Sequence, residues 1–133
     1  LRDNHVPAKL ITLLVHNNDQ KQMYENGIPS NLFNDIMVTN LDGGCYGQMN
    51  YITDHYEEGV RIVKLDDDIS CIYEVADNVN LVKSSKLLNI IDTGYDLCEQ
   101  HGAKLFGLYP SSNPYFVCKQ KEYSITNILY KLT

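Results

Sequence analysis

The stretch Val60–Ile69, Val-Arg-Ile-Val-Lys-Leu-Asp-Asp-Asp-Ile, constrains the chain more than any other. Its first half carries Val60, Ile62, Val63 and Leu65, and this β-branched and aliphatic content predicts a buried strand over Val60–Leu65. Three carboxylates then follow in a row. Adjacent like charges repel, so such a run is costly on its own. A cation or polar ligand explains such a run, and so does an exposed acidic turn. Hard divalent cations take oxygen ligands, and Mg²⁺ uses one or two carboxylates while water and phosphate oxygens fill its shell. Side chains alternate along extended backbone, which puts Asp66 and Asp68 on one face and Asp67 on the other. That leaves a metal–diphosphate site or a solvated turn.

The 133 residues suffice for one domain with a core. The net charge of −6 argues against a nucleic-acid surface, which needs a basic patch. It does not argue against a nucleotide, because one metal ion and a few local donors can hold a diphosphate. Four cysteines, Cys45, Cys71, Cys98 and Cys118, form no C-x-x-C pair and no zinc-site spacing. Reduced, part-buried thiols are expected, which fits a cytoplasmic or similarly reducing compartment. No apolar run is long enough to span a membrane. Leu1–His5 is not a signal peptide, and without an initiator Met the chain is expected to be a fragment.

In chain order, Lys9–Val15 is a compact apolar run and predicts a strand buried on both faces of a parallel sheet. His16-Asn17-Asn18-Asp19 breaks it with turn formers that can cap a helix over Gln20–Glu25. Asp35–Thr39 predicts a second strand. Asn40–Gly44 follows as a loop, with two glycines that allow positive φ or close approach to a ligand. Tyr46–Tyr56 predicts a helix with Met49, Ile52 and Tyr56 on one face. Strand, helix, strand, helix, strand is α/β punctuation and implies a mainly parallel sheet. Ligands of open α/β sheets sit beyond the strands' carboxyl ends, where His16–Asp19, Thr39–Gly44 and Asp66–Asp68 would converge.

Further on, Ser70–Val75 is expected to be extended and Ala76–Lys83 a loop. Ser84 or Ser85 can cap a helix over Lys86–Gln100, with Leu87, Leu88, Ile91, Tyr95 and Cys98 as its apolar stripe and Gly102 as its C-terminal cap. Ala103–Tyr109 predicts a strand, Pro110–Pro114 a rigid turn and Tyr115–Cys118 more extended chain. Glu122–Leu132 suits either a helix or a strand.

The segment Gly43–Asn50, Gly-Gly-Cys-Tyr-Gly-Gln-Met-Asn, then a helix, then Arg61–Ile69 resembles the core of a nucleotide-sugar glycosyltransferase of the GT-A fold. Ala103–Phe116 is similar to glycosyltransferase domains of large DNA viruses, the chlorella virus type included, and of phages. The resemblance covers about Lys9 to Val117. It implies a three-layer α/β/α fold with a mainly parallel sheet, one domain over residues 1–133, and an acceptor-binding part abbreviated or missing at the C-terminus.

It also implies a metal-dependent glycosyltransferase. Mn²⁺ or Mg²⁺, a nucleotide-diphosphate sugar donor and a glycan or other hydroxyl acceptor would be its cofactor and partners, in the cytoplasm (the host's, if the protein is viral). Asp68 would hold the metal. Asp66 would share it or hold the ribose, and Asp67 would assist through water or contact the sugar. His16 and Asn17 would lie near the base, with Thr39 and Asn40 beside it. Gln48 stands where relatives often carry an arginine near the diphosphate, which removes a charge and a bidentate donor.

No catalytic base emerges. His101, Asp92 and Asp96 belong to the long helix and read as surface residues, while Asn113 and Tyr115 sit where a sugar contact or a turn would serve. A non-catalytic nucleotide-sugar-binding domain is the alternative. A sugar nucleotidyltransferase fits less well, for want of a glycine-rich basic phosphate loop. An EF-hand fails, since Cys71 and Asp77 occupy the positions of its glycine and glutamate.

Overall fold

The structure, a computed structural model, describes residues 1–40, 44–76, 80–108, 113 and 115. It combines helices with strands, including a small parallel sheet, and so belongs to the broad α/β class. The chain divides into two compact units, Leu1–Asp68 with Ser85–Ile91, and Ile69–Ser84 with Asp92–Thr133.

The first unit is built on a strand–helix–strand crossover. Strand β1 covers Thr12–Val15, helix α1 Asn18–Gly27 and strand β2 Asp35–Val38. The two strands pair in parallel, Thr12 opposite Asp35 through Val15 opposite Val38. Parallel pairing requires a crossover, and α1 supplies it. The predicted first strand began at Lys9, but Ala8–Leu10 forms a 3-10 turn after Pro7. Val15 and Ile36 are buried and form the apolar centre of this pair. Helix α1 starts earlier than its predicted Gln20 and ends where Ile28 N–H closes on the Tyr24 carbonyl, just before Pro29.

Helix α2 spans Gly44–His55, two residues ahead of its prediction at the start and one short of it at the end. The expected apolar face is only partly realised. Ile52 and Tyr56 are half-buried, whereas Met49 is exposed and Gly47 is buried instead. The Tyr56 hydroxyl lies 3.9 Å from the Met37 sulfur of β2. Tyr51 stacks on His55, whose ring meets Tyr56 edge-on.

The predicted strand Val60–Leu65 is not formed: these residues have no regular structure, and all six are exposed. The sequence contains the reason. In an extended conformation Lys64 would share a face with Val60 and Ile62, and Arg61 with Val63 and Leu65. Burying either face would desolvate a cation. β-propensity reports fit to a half-buried surface rather than a backbone preference, so it cannot offset that cost. A turn at Asp67–Asp68 also breaks the alternation expected of the three aspartates.

In the second unit, β3 (Tyr73–Ala76) and β4 (Asn80–Lys83) form an antiparallel hairpin, Tyr73 opposite Lys83 and Ala76 opposite Asn80. The predicted loop Ala76–Lys83 thus contains a strand. Among the described residues the sheets are therefore one parallel pair and one antiparallel pair, not a mainly parallel sheet. Ser84 N–H extends the hairpin ladder to the Ile72 carbonyl, and the buried Ser84 hydroxyl donates to the Glu74 carboxylate. The Cys71 thiol beside Tyr73 raises that phenol's pKa, chiefly through their hydrogen bond. Cys71 and Cys98 are free and half-buried, as expected of reduced thiols.

Helix α3, Leu87–His101, matches its prediction to within one residue at each end. Its stripe is apolar as read: Leu87 is buried, and Leu88, Ile91, Tyr95 and Cys98 are half-buried. Gly102 adopts φ +64 at its end, and Ala103 N–H returns to the Cys98 carbonyl, a cap that needs a left-handed residue. The Leu87 N–H, an orphan donor of the first turn, is met by the Asn4 side-chain oxygen at 3.1 Å. Asn4→Ala is expected to cost about 1 kcal/mol and lower the melting temperature by about 4 °C, read by circular dichroism.

Ala103–Leu108 is irregular rather than the predicted strand. Its Phe106 ring packs on Gly94 of α3 and meets Tyr95 edge-on, with centroids 5.1 Å apart. Contact with a helix replaces pairing with a strand. Predictions for Leu41–Gly43, the Pro110–Pro114 turn other than Asn113, Phe116–Cys118 and Glu122–Leu132 lie outside the described residues. Among the described residues no helix is long and apolar enough to cross a membrane.

Candidate functional site

The carboxyl ends of β1 and β2 are tied together by two backbone bonds at and just past the strand ends. Thr39 N–H donates to the Val15 carbonyl and Asn40 N–H to the His16 carbonyl, both at 2.9 Å. The two segments are thereby held side by side just beyond the last ladder pair, Val15 and Val38. Thr39 is buried at 6% exposure, whereas His16 and Asn40 are exposed. Asn40 adopts φ +50, a left-handed conformation that Asn tolerates better than most residues. His16, Asn17, Thr39 and Asn40, predicted as one group, are thus brought together by two strand ends and the first turn of α1.

Asn17 is the N-cap of α1, and its side-chain oxygen accepts from the Gln20 N–H at 2.9 Å. The Gln20 side chain reaches back, its Oε1 accepting from the His16 N–H at 2.8 Å. Sequence reasoning passed over Gln20 as an ordinary helix residue. The signal was present as Asn17-x-x-Gln20, the spacing of a capping box.

Gln48 is half-buried on α2. Asp66, Asp67 and Asp68 are exposed, and the Asp66 carboxylate lies 3.4 Å from the Lys64 ammonium. An exposed pair of this kind is worth about 0–1 kcal/mol, little against a divalent cation's attraction. Among the described residues no three His, Cys, Asp or Glu side chains are grouped to hold a metal. Two exposed carboxylates still match the protein share of a Mg²⁺ or Mn²⁺ shell completed by phosphate and water. Every predicted donor-site residue, from His16 to Asp68, belongs to the first unit. Asp92, Asp96 and His101 are exposed on α3, and the Asn113 side-chain oxygen accepts from the Tyr115 N–H.

No family model, curated protein or solved structure matches the chain.

Proposed function

We propose that the chain is the donor-binding part of a metal-dependent glycosyltransferase of the GT-A type, with a three-layer α/β/α fold. It would move a sugar from a nucleotide-diphosphate sugar to a hydroxyl of a glycan or other acceptor. The observation that carries this reading is the braced corner at the carboxyl ends of β1 and β2, in the same unit as Gln48 and the three aspartates. That edge is where open α/β folds hold nucleotides. His16, Asn17, Thr39 and Asn40 would meet the base and ribose. Gln48 would donate to the diphosphate as a neutral group.

Asp66 and Asp68 would hold Mn²⁺ or Mg²⁺, and Asp67 would assist through water. The bound ion would supply Lewis acidity to the leaving nucleoside diphosphate. Over the whole transfer, a bond from the acceptor oxygen to the anomeric carbon replaces the bond from that carbon to the phosphate oxygen, the nucleoside diphosphate leaves, and the acceptor's proton passes to solvent. The protein's part is orientation and charge stabilisation.

Calorimetry with UDP-, GDP- and dTDP-sugars, with Mn²⁺ and with chelator, tests the reading. One of the three is expected to bind with a dissociation constant of about 1 mM or tighter, roughly −4 kcal/mol or better. Chelation is expected to abolish binding. No metal-dependent binding of any of them would sink the proposal. Binding without sugar transfer would assign the chain to a non-catalytic sugar-nucleotide-binding role.

A further inference from the structure

We infer that Gln20 is a positioning residue of the donor site, acting through His16 on Asn40. The inference rests on the reading above for its ligand but on hydrogen bonds alone for its geometry. Gln20 occupies the third position of α1, and its amide works at both ends. Its backbone N–H is satisfied by the Asn17 cap, and its side-chain Oε1 takes the His16 N–H. An ordinary capping box returns to the N-cap residue itself. This one reaches one residue further back, to the residue at the end of β1. The other backbone group of His16, its carbonyl, accepts the Asn40 N–H.

A single line of bonds therefore runs Gln20 Oε1, His16 N–H, His16 carbonyl, Asn40 N–H. Asn40 stands in a left-handed conformation that persists only where its surroundings hold it. Thr39 beside it is buried and bonded to β1, so the lever arm is one residue long. Without the Gln20 acceptor, the His16 N–H turns to water and Asn40 loses its fixed support. Loss of this brace acts on donor affinity, because a mobile corner must be ordered when the nucleotide binds.

The test compares Gln20→Leu, which keeps the size and removes the acceptor, with Gln20→Glu, which keeps an acceptor. Asn4→Ala serves as a control that loosens a different cap. Amide hydrogen exchange at His16 and Asn40 is followed by nuclear magnetic resonance, and affinity for UDP, GDP and dTDP with Mn²⁺ by calorimetry. Gln20→Leu is expected to speed Asn40 exchange at least tenfold. It should also weaken the nucleotide the native protein binds at least fivefold, raising donor KM with little change in kcat. Gln20→Glu should restore Asn40 protection to within threefold, and Asn4→Ala should leave affinity unchanged and speed Asn40 exchange far less than Gln20→Leu does.

Unchanged Asn40 exchange in Gln20→Leu overturns the inference, as does an equal change in Asn4→Ala. Faster exchange with unaltered affinity overturns its link to the donor. If the native protein binds none of the three nucleotides, the functional reading fails, and Asn40 exchange alone still decides whether Gln20 braces the corner.

Discussion

Replacing Asp66 and Asp68 together by asparagine is expected to weaken Mn²⁺-dependent binding of the donor nucleotide at least 100-fold, about 2.8 kcal/mol. Asparagine keeps the side-chain volume and one carbonyl oxygen but removes the charge that a hard cation seeks. Both carboxylates are exposed, and the Asp66 partner Lys64 is a surface pair of small value, so folding should be little affected. An unshifted melting temperature without metal would separate lost coordination from lost structure. The single variants then decide how the roles divide. The resemblance makes Asp68 the principal ligand, so Asp68→Asn should approach the double variant. Asp67→Asn should stay within about threefold of native, roughly 0.6 kcal/mol. The turn at Asp67–Asp68 gives this series its point, because alternation along a strand can no longer rank the three. Undiminished metal-dependent binding by the double variant would remove the aspartates from the site.

The second large effect concerns stability. Gly94 lies buried inside α3, where alanine in an open helix would gain about 1 kcal/mol. Here a Cβ would stand 2.7 Å from Phe106 Cζ, well inside van der Waals contact. Overpacking of this kind costs about 1–3 kcal/mol, and displacing the ring also disturbs its edge-on contact with Tyr95, about 0.5–1.5 kcal/mol. The clash therefore outweighs the propensity gain. Gly94→Val, larger and β-branched, should lose about 3 kcal/mol and lower the melting temperature by roughly 10 °C. Shrinking the ring in the same chain, Gly94→Val with Phe106→Ala, should show a coupling of about 1–2 kcal/mol in a double-mutant cycle. If Gly94→Ala raises the melting temperature instead, the Phe106 ring does not sit on α3.

The elements legible in the sequence were those whose signals are local. The stripe Leu87, Leu88, Ile91, Tyr95, Cys98 and the Gly102 cap located α3 to within one residue. The turn formers His16–Asp19 located α1, although it covers Asn18–Gly27 rather than Gln20–Glu25, and the β1–β2 pair followed from two short apolar runs separated by a helix. What failed depended on partners that a single chain does not announce. Val60–Leu65 has strand-forming side chains, but a cation on each face opposes burial. Leu105 and Phe106 suggested a strand, yet Phe106 found a glycine on a helix. The Asn80–Lys83 strand escaped notice because its apolar content is only Leu81 and Val82 between polar neighbours. At the site, grouping His16, Asn17, Thr39 and Asn40 required only that two parallel strands end together. Gln20 was missed although its spacing from Asn17 was in view, and the long-range cap from Asn4 to Leu87 leaves no trace in either local sequence.

The parallel register has a consequence for how the corner is made. Thr12 and Asp35 pair across only 23 positions, and every residue of the braced corner falls between Thr12 and Asn40. Closing so short a loop is entropically cheap, and local pairings of this kind form early. Chains emerge from the ribosome N-terminus first and fold as they appear. The residues of the corner are thus all synthesised before Asp66 is added. A chain extended only to Asn40 already includes every residue whose hydrogen bonds shape the corner.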